Sequence, residues 1–168
     1  FEYWNYSKKT MFSISILHLV LSVFWFAAVP VFLKFLPILK EKGATVAFDF
    51  ATRPDDPVSV KAIPYVDYGF FADDDKDEEE LKKMLIDLHA KGPKVMVVTR
   101  GEKGSMAYDG EKFYYGGIVP CEVVDTMGAG DSFIAGFLYA ICEGKGIQEA
   151  MADGAANSSV TIAYSGAW

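Results

Sequence analysis

Hydrophobic and polar positions fall into two regimes along the chain. From Met11 to Leu33 runs an uncharged, largely apolar stretch of 23 residues, interrupted by Ser13, Ser15, His18, Ser22 and Pro30 and followed directly by Lys34. Such a run is long enough to cross a bilayer as one helix. It reads equally as a buried strand over about Ser13–Val20 feeding a buried helix, because periodicity does not separate the two. From Lys40 onward the pattern changes to short apolar runs punctuated by turn residues. Lys40-Glu41-Lys42-Gly43 predicts a helix end with its terminal glycine, and Thr45–Phe50 a strand. Pro54–Pro57 reads as a loop and Tyr65–Phe71 as another short strand.

Asp77 with Glu80 three residues on predicts a capping box. Leu81, Leu85 and Leu88 then mark one helical face, which Lys91-Gly92-Pro93 terminates. Lys94–Thr99 is β-branched and short, a buried strand. Ser105–Tyr108 and Lys112–Tyr115 predict a hairpin turning at Asp109-Gly110. Val123-Val124 predicts a strand leading into a glycine-rich turn. A helix then runs from Gly130 to Cys142 with Phe133, Phe137 and Ile141 aligned, and a last helix from about Ile147 to Ala163. Strands alternating with helices predict an α/β sheet covered on both faces.

Charge and composition narrow the function classes. The 168 residues carry a formal net charge of −7, which argues against a general nucleic-acid binder, since phosphate neutralisation needs a basic surface. A small anion held locally by backbone N–H groups is unaffected by that balance. Cys121 and Cys142 lie far apart without CxxC spacing, so neither a disulfide framework nor a zinc finger is expected. His18 and His89 are isolated and lack the neighbours of a metal site. The acid run Asp73–Glu80, interrupted by Lys76, reads as a solvated helix entry.

Two glycine turns carry the candidate chemistry. Thr99-Arg100-Gly101-Glu102-Lys103-Gly104 follows a buried strand, and Asp125-Thr126-Met127-Gly128-Ala129-Gly130-Asp131 opens a helix. Glycines there let backbone N–H groups approach an anion, and the helix N-terminus adds a favourable partial charge. An ionised Asp131 beside such an anion is repelled, a cost that acting as general base for an attacking hydroxyl would offset. The alternative is that Asp131 caps the helix, and spacing does not choose between them. No Walker loop is present, and Phe133 stands where a dinucleotide fingerprint needs its third glycine. Gly130-Asp131-Ser132 is similar to a serine-esterase nucleophile block, but no histidine follows it to serve as base.

DTMGAGDSF (Asp125–Phe133) resembles the C-terminal signature of the ribokinase-like, PfkB-type carbohydrate kinases, and VVTRGEKGSMAYDG (Val97–Gly110) their nucleotide-phosphate loop and hairpin. FDFATRPDDP, GAGDSFIAGFLYA and AYSGAW are similar to members of the family that act on fructoselysine. The likeness covers Leu36–Trp168 well and Ile16–Phe35 loosely, so residues 14–168 form one partial kinase domain behind an unassigned lead-in, 1–13. It implies a three-layer α/β sandwich around a central, mostly parallel sheet, lacking the family's N-terminal strands and lid, and hence an open sheet edge. It further implies ATP-dependent phosphorylation of a sugar or sugar-amine, fructoselysine or a related ketosamine, in a cytoplasmic enzyme, with a homodimer among its possible assemblies. Asp131 becomes the general base and Gly128, Ala129 and Gly130 the anion hole. Thr99, Gly101, Glu102, Gly104 and Gly130 line the ATP phosphates. Asp125 matches a ligand of a monovalent cation such as K⁺, and Mg²⁺ arrives with ATP. The family's Asn-x-x-Glu pattern is replaced by Ala72–Glu78, so the likeness assigns no metal-organising acid there. It also shifts Met11–Leu33 toward strand plus helix. With the sugar side and its lid lacking, a nucleotide-binding chain without turnover is the competing reading.

Overall fold

The computed structural model describes residues 31–166. The predicted strand over Ser13–Val20, His18 and all but the last three residues of the apolar run lie outside them. The chain divides into two compact units meeting after Gly43. In the first, residues 31–41 form a helix (α1), and Gly43 ends it at φ 78°, donating its N–H to Lys40 O at 2.9 Å. Among the described residues no helix is long and apolar enough to cross a membrane.

The second unit is built on a five-stranded sheet in the order β1 (Ala47–Asp49), β2 (Tyr68–Ala72), β3 (Val95–Thr99), β4 (Ser105–Tyr108) and β5 (Phe113–Gly116). β1, β2 and β3 run parallel, while β4 and β5 form the predicted hairpin, antiparallel to β3. Within the described residues the sheet is therefore evenly mixed. Along each strand successive side chains point to opposite faces. Phe70, Val95, Val97 and Ala107 pack against Phe133, Phe137 and Ala140 of α4 (Ala129–Cys142), and against Ala150 and Met151 of α5 (Ile147–Thr161). Met96, Val98 and Met106, equally buried, face the other way, toward α3 (Glu78–His89) with its buried Leu81, Leu85 and Leu88. This is the expected three-layer arrangement.

Local chemistry explains most element ends. Asp77 accepts the Glu80 N–H at 2.9 Å and Glu80 reaches back to the Asp77 N–H, the predicted capping box. The strand expected over Thr45–Phe50 is trimmed to three residues. Tyr65 belongs to a short 3₁₀ turn, Ile63–Tyr65, that precedes β2. Two expectations are corrected. The loop over Pro54–Pro57 ends in a helix, α2 (Pro57–Ala62), capped by Asp56, whose carboxylate accepts the Val58 and Ser59 N–H groups at 2.7 and 2.9 Å. Asp followed by Pro at the first helical position is a helix-start signal that turn chemistry masked. Likewise, Val123-Val124 forms no strand before the second glycine turn. Both side chains are exposed, and the Val124 and Asp125 N–H groups donate to Ile162 O, at the end of α5, instead of to a strand neighbour.

Candidate functional site

The first glycine turn grows directly from the C-terminal end of β3. Gly101–Lys103 makes one 3₁₀ turn, closed by Arg100 N–H donating to Gly104 O at 2.8 Å and Gly104 N–H to Gly101 O at 3.1 Å. Gly104 sits at φ 79°, and a Cβ there would come 2.1 Å from Gly116 O. Only glycine lets β5 close over the turn. Lys103 ties the turn to the acidic loop through Asp74 O.

The second turn opens α4. Gly128 is the N-cap residue, at φ 78°, and supplies no side-chain cap. Ala129 N–H donates to Thr126 O at 3.2 Å and Ser132 N–H to Gly128 O at 2.9 Å. The N–H groups of Gly130 and Asp131 have no partner among the described residues. A Cβ on Gly130 would meet open space, so its backbone is accessible to a ligand. Two free donors at the positive end of a 14-residue helix have the chemistry that an anion requires. Asp131 stands exposed in that first turn, and its carboxylate accepts no hydrogen bond among the described residues. The capping alternative therefore has no geometry to support it.

Asp125 anchors the turn from the other side. One carboxylate oxygen accepts Met127 N–H and the other Gly166 N–H, both at 3.0 Å. These two bonds, that from Met127 foremost, hold its pKa below the ordinary 3.8 and keep it ionised.

A cavity of about 500 Å³ joins the two turns. That volume lies within the roughly 300–1,000 Å³ of small-molecule sites. Thr99, Gly101, Glu102 and Gly104 line one side, Thr126, Ala129 and Gly130 another. Apolar groups, among them Ile118, Val119, Pro120, Val123 and Ile162, form the remaining wall with Ser158 and Ser159. Six residues singled out from the sequence (Thr99, Gly101, Glu102, Gly104, Ala129 and Gly130) thus share one cavity. Gly128, Asp131 and Asp125 adjoin it without lining it. The contribution of 117–123 and of α5 was not marked by any local motif. Among the described residues no cluster of three or more His, Cys, Asp or Glu is placed to hold a metal ion.

Comparison with known proteins matches this part of the chain to a family. The sequence pattern of the pfkB family carbohydrate kinases matches residues 69–168, which hold both glycine turns and every lining residue of the cavity. The chain belongs to the pfkB family of carbohydrate kinases. Among curated pfkB-family relatives, fructoselysine 6-kinase of Escherichia coli is 41% identical over 132 residues, 79% of this chain and 50% of that protein. Fructosamine kinase of Bacillus subtilis is 38% identical over 123 residues, 73% of this chain and 43% of its own length. Ribokinase of Arabidopsis thaliana, solved with ribose and ATP, superposes with a TM-score of 0.75 at 28% identity, covering 83% of this chain and 48% of that one. The chain spans about half the length of the relatives it matches.

Proposed function

We propose that this pfkB-family segment carries the nucleotide side of an ATP-dependent kinase whose acceptor is fructoselysine or a related ketosamine. The observation that carries the reading is the cavity with a glycine turn on each side and two unpaired N–H groups at the start of α4. ATP would place its phosphates between Thr99–Gly104 and Gly128–Gly130, with the nucleoside against the apolar wall. The solved ribokinase with ribose and ATP and the fructoselysine 6-kinase named above support that assignment.

In the proposed reaction the acceptor hydroxyl oxygen attacks the γ-phosphorus, its proton passes to the Asp131 carboxylate, and ADP leaves as the β–γ bridge breaks. The unpaired backbone N–H groups of Gly130 and Asp131 stabilise charge on the transferring group, the main work of a site for phosphoryl transfer, while the Ala129 N–H is held by Thr126 O. Asp131 is free for this role because its carboxylate has no hydrogen-bond partner among the described residues. Mg²⁺ would enter with ATP and neutralise its phosphate charge. A monovalent cation such as K⁺ would share the Asp125 carboxylate with the Met127 and Gly166 N–H groups, each oxygen keeping a second lone pair for it.

The test is a chimera of the Escherichia coli fructoselysine 6-kinase in which the matching segment is exchanged for this chain's. Fructoselysine-dependent release of ADP from ATP, absent with ribose or glucose, is the expected result. A folded chimera that binds ATP but ignores fructoselysine would contradict the acceptor assignment. One that fails to bind ATP would contradict the nucleotide assignment.

A further inference from the structure

The start of α4 lacks what usually fixes a helix N-terminus. Gly128 offers no capping oxygen, and Gly130 is the second helical residue. Such a start frays readily, since glycine loses more backbone entropy than any other residue on ordering and no side chain holds the first N–H groups. An anion site needs the opposite, donors held in place before the charge arrives.

The missing restraint comes from α5. Ser158 Oγ donates to Ala129 O at 3.1 Å, Asn157 Nδ2 donates to Ser132 O at 2.8 Å, and the hydroxyls of Ser132 and Thr161 lie 2.6 Å apart. Side chains this short reach the α4 backbone because the two helices touch at glycines. A Cβ on Gly136 would lie 2.8 Å from Asp153 O, and one on Gly154 2.8 Å from Phe133 O. The Ser158 bond has a particular consequence. Ala129 C=O and Gly130 N–H belong to one planar peptide unit, so a donor that fixes the carbonyl also fixes the direction of the N–H. That N–H has no partner among the described residues.

We infer that Ser158 is a positioning residue for the anion turn, acting on bound phosphate through the Ala129–Gly130 peptide. The inference rests on the nucleotide reading above. Because Ser158 also lines the cavity, the test separates action on the phosphates from contact with the nucleoside. The affinities of purified Phe1–Trp168 for ATP and for adenosine are measured by calorimetric titration in the wild type, S158A and S158T. Loss of one neutral hydrogen bond predicts ATP binding weaker by about fivefold in S158A. Adenosine binding is unchanged, and S158T restores ATP affinity. Should S158A fail to fold, S158C, whose thiol is only a weak donor, takes its place with the same expected outcomes. Unchanged ATP affinity, or equal losses for ATP and adenosine, would overturn the positioning role while leaving the nucleotide reading intact. A wild-type chain that binds ATP no better than adenosine would overturn the anion turn itself, and this inference with it.

Discussion

In the proposed reaction Asp131 takes the proton of the acceptor hydroxyl, and its position was legible where its isolation was not. An acid three residues into a glycine-opened helix reads from the sequence as either cap or base. The structure leaves its carboxylate without a hydrogen-bond partner among the described residues. In the fructoselysine-active chimera, Asp131→Asn is expected to lower kcat by about 10²–10⁴ with little change in ATP affinity. Near-normal kcat in steady-state assays would remove it from the proton transfer. The glycines of the first turn separate by what surrounds them. Gly101, at φ 54°, has open space where a Cβ would go, whereas at Gly104 a Cβ meets Gly116 O at 2.1 Å. Urea unfolding should therefore show a loss of about 1 kcal/mol for Gly101→Ala, the left-handed penalty alone. For Gly104→Ala the loss should be about 3 kcal/mol or more, because strand β5 must move as well. Equal losses would contradict the hairpin's closure over the turn. Ser158 was invisible in the sequence, because its reach to Ala129 depends on how closely Gly136 and Gly154 let two helices approach.

Elements whose cause is local were readable in advance. The Asp77–Glu80 box starts α3, Gly43 ends α1, and Asp109-Gly110 turns the β4–β5 hairpin, each through residues within a few positions of one another. Elements decided by distant partners were not. Val123-Val124 has the composition of a strand, yet its backbone bonds go to Ile162, nearly forty residues away, and the segment becomes cavity wall. The same end of α5 carries the tail that Asp125 holds through Gly166 N–H. The sign of the pH effect follows from the lowered pKa. Anchoring is present above the ordinary value of 3.8 and is lost as pH falls below it, through the depressed folded value. The Gly166 amide shift should accordingly titrate with a midpoint below 3.8, and Asp125→Asn should abolish that titration. A midpoint at or above 3.8 would mean that the carboxylate does not hold the tail.

For the molecule as a whole, the three layers were legible because α3 and α4 each carry a clear apolar face, whereas strand order was not, since pairing is set by crossovers rather than by pattern. The sheet brings both glycine turns to one cavity: β3 ends at the first, and α4, packed across Phe70, Val95 and Val97, begins at the second. The chain thus presents a cavity built from 99–104, 117–130 and the end of α5, within a family of carbohydrate kinases, and this cavity is the proposed nucleotide site. In the proposed reading, ATP phosphates sit on the unpaired N–H groups at the start of α4. Amide ¹H–¹⁵N shifts of Phe1–Trp168 during titration with ATP, and separately with adenosine, test this most directly. ATP should move the Gly130 and Asp131 amides saturably, while adenosine shifts the apolar wall around Val119 and Ile162 and leaves those two in place. Binding of ATP that leaves Gly130 and Asp131 unmoved, or no binding at all, would contradict it.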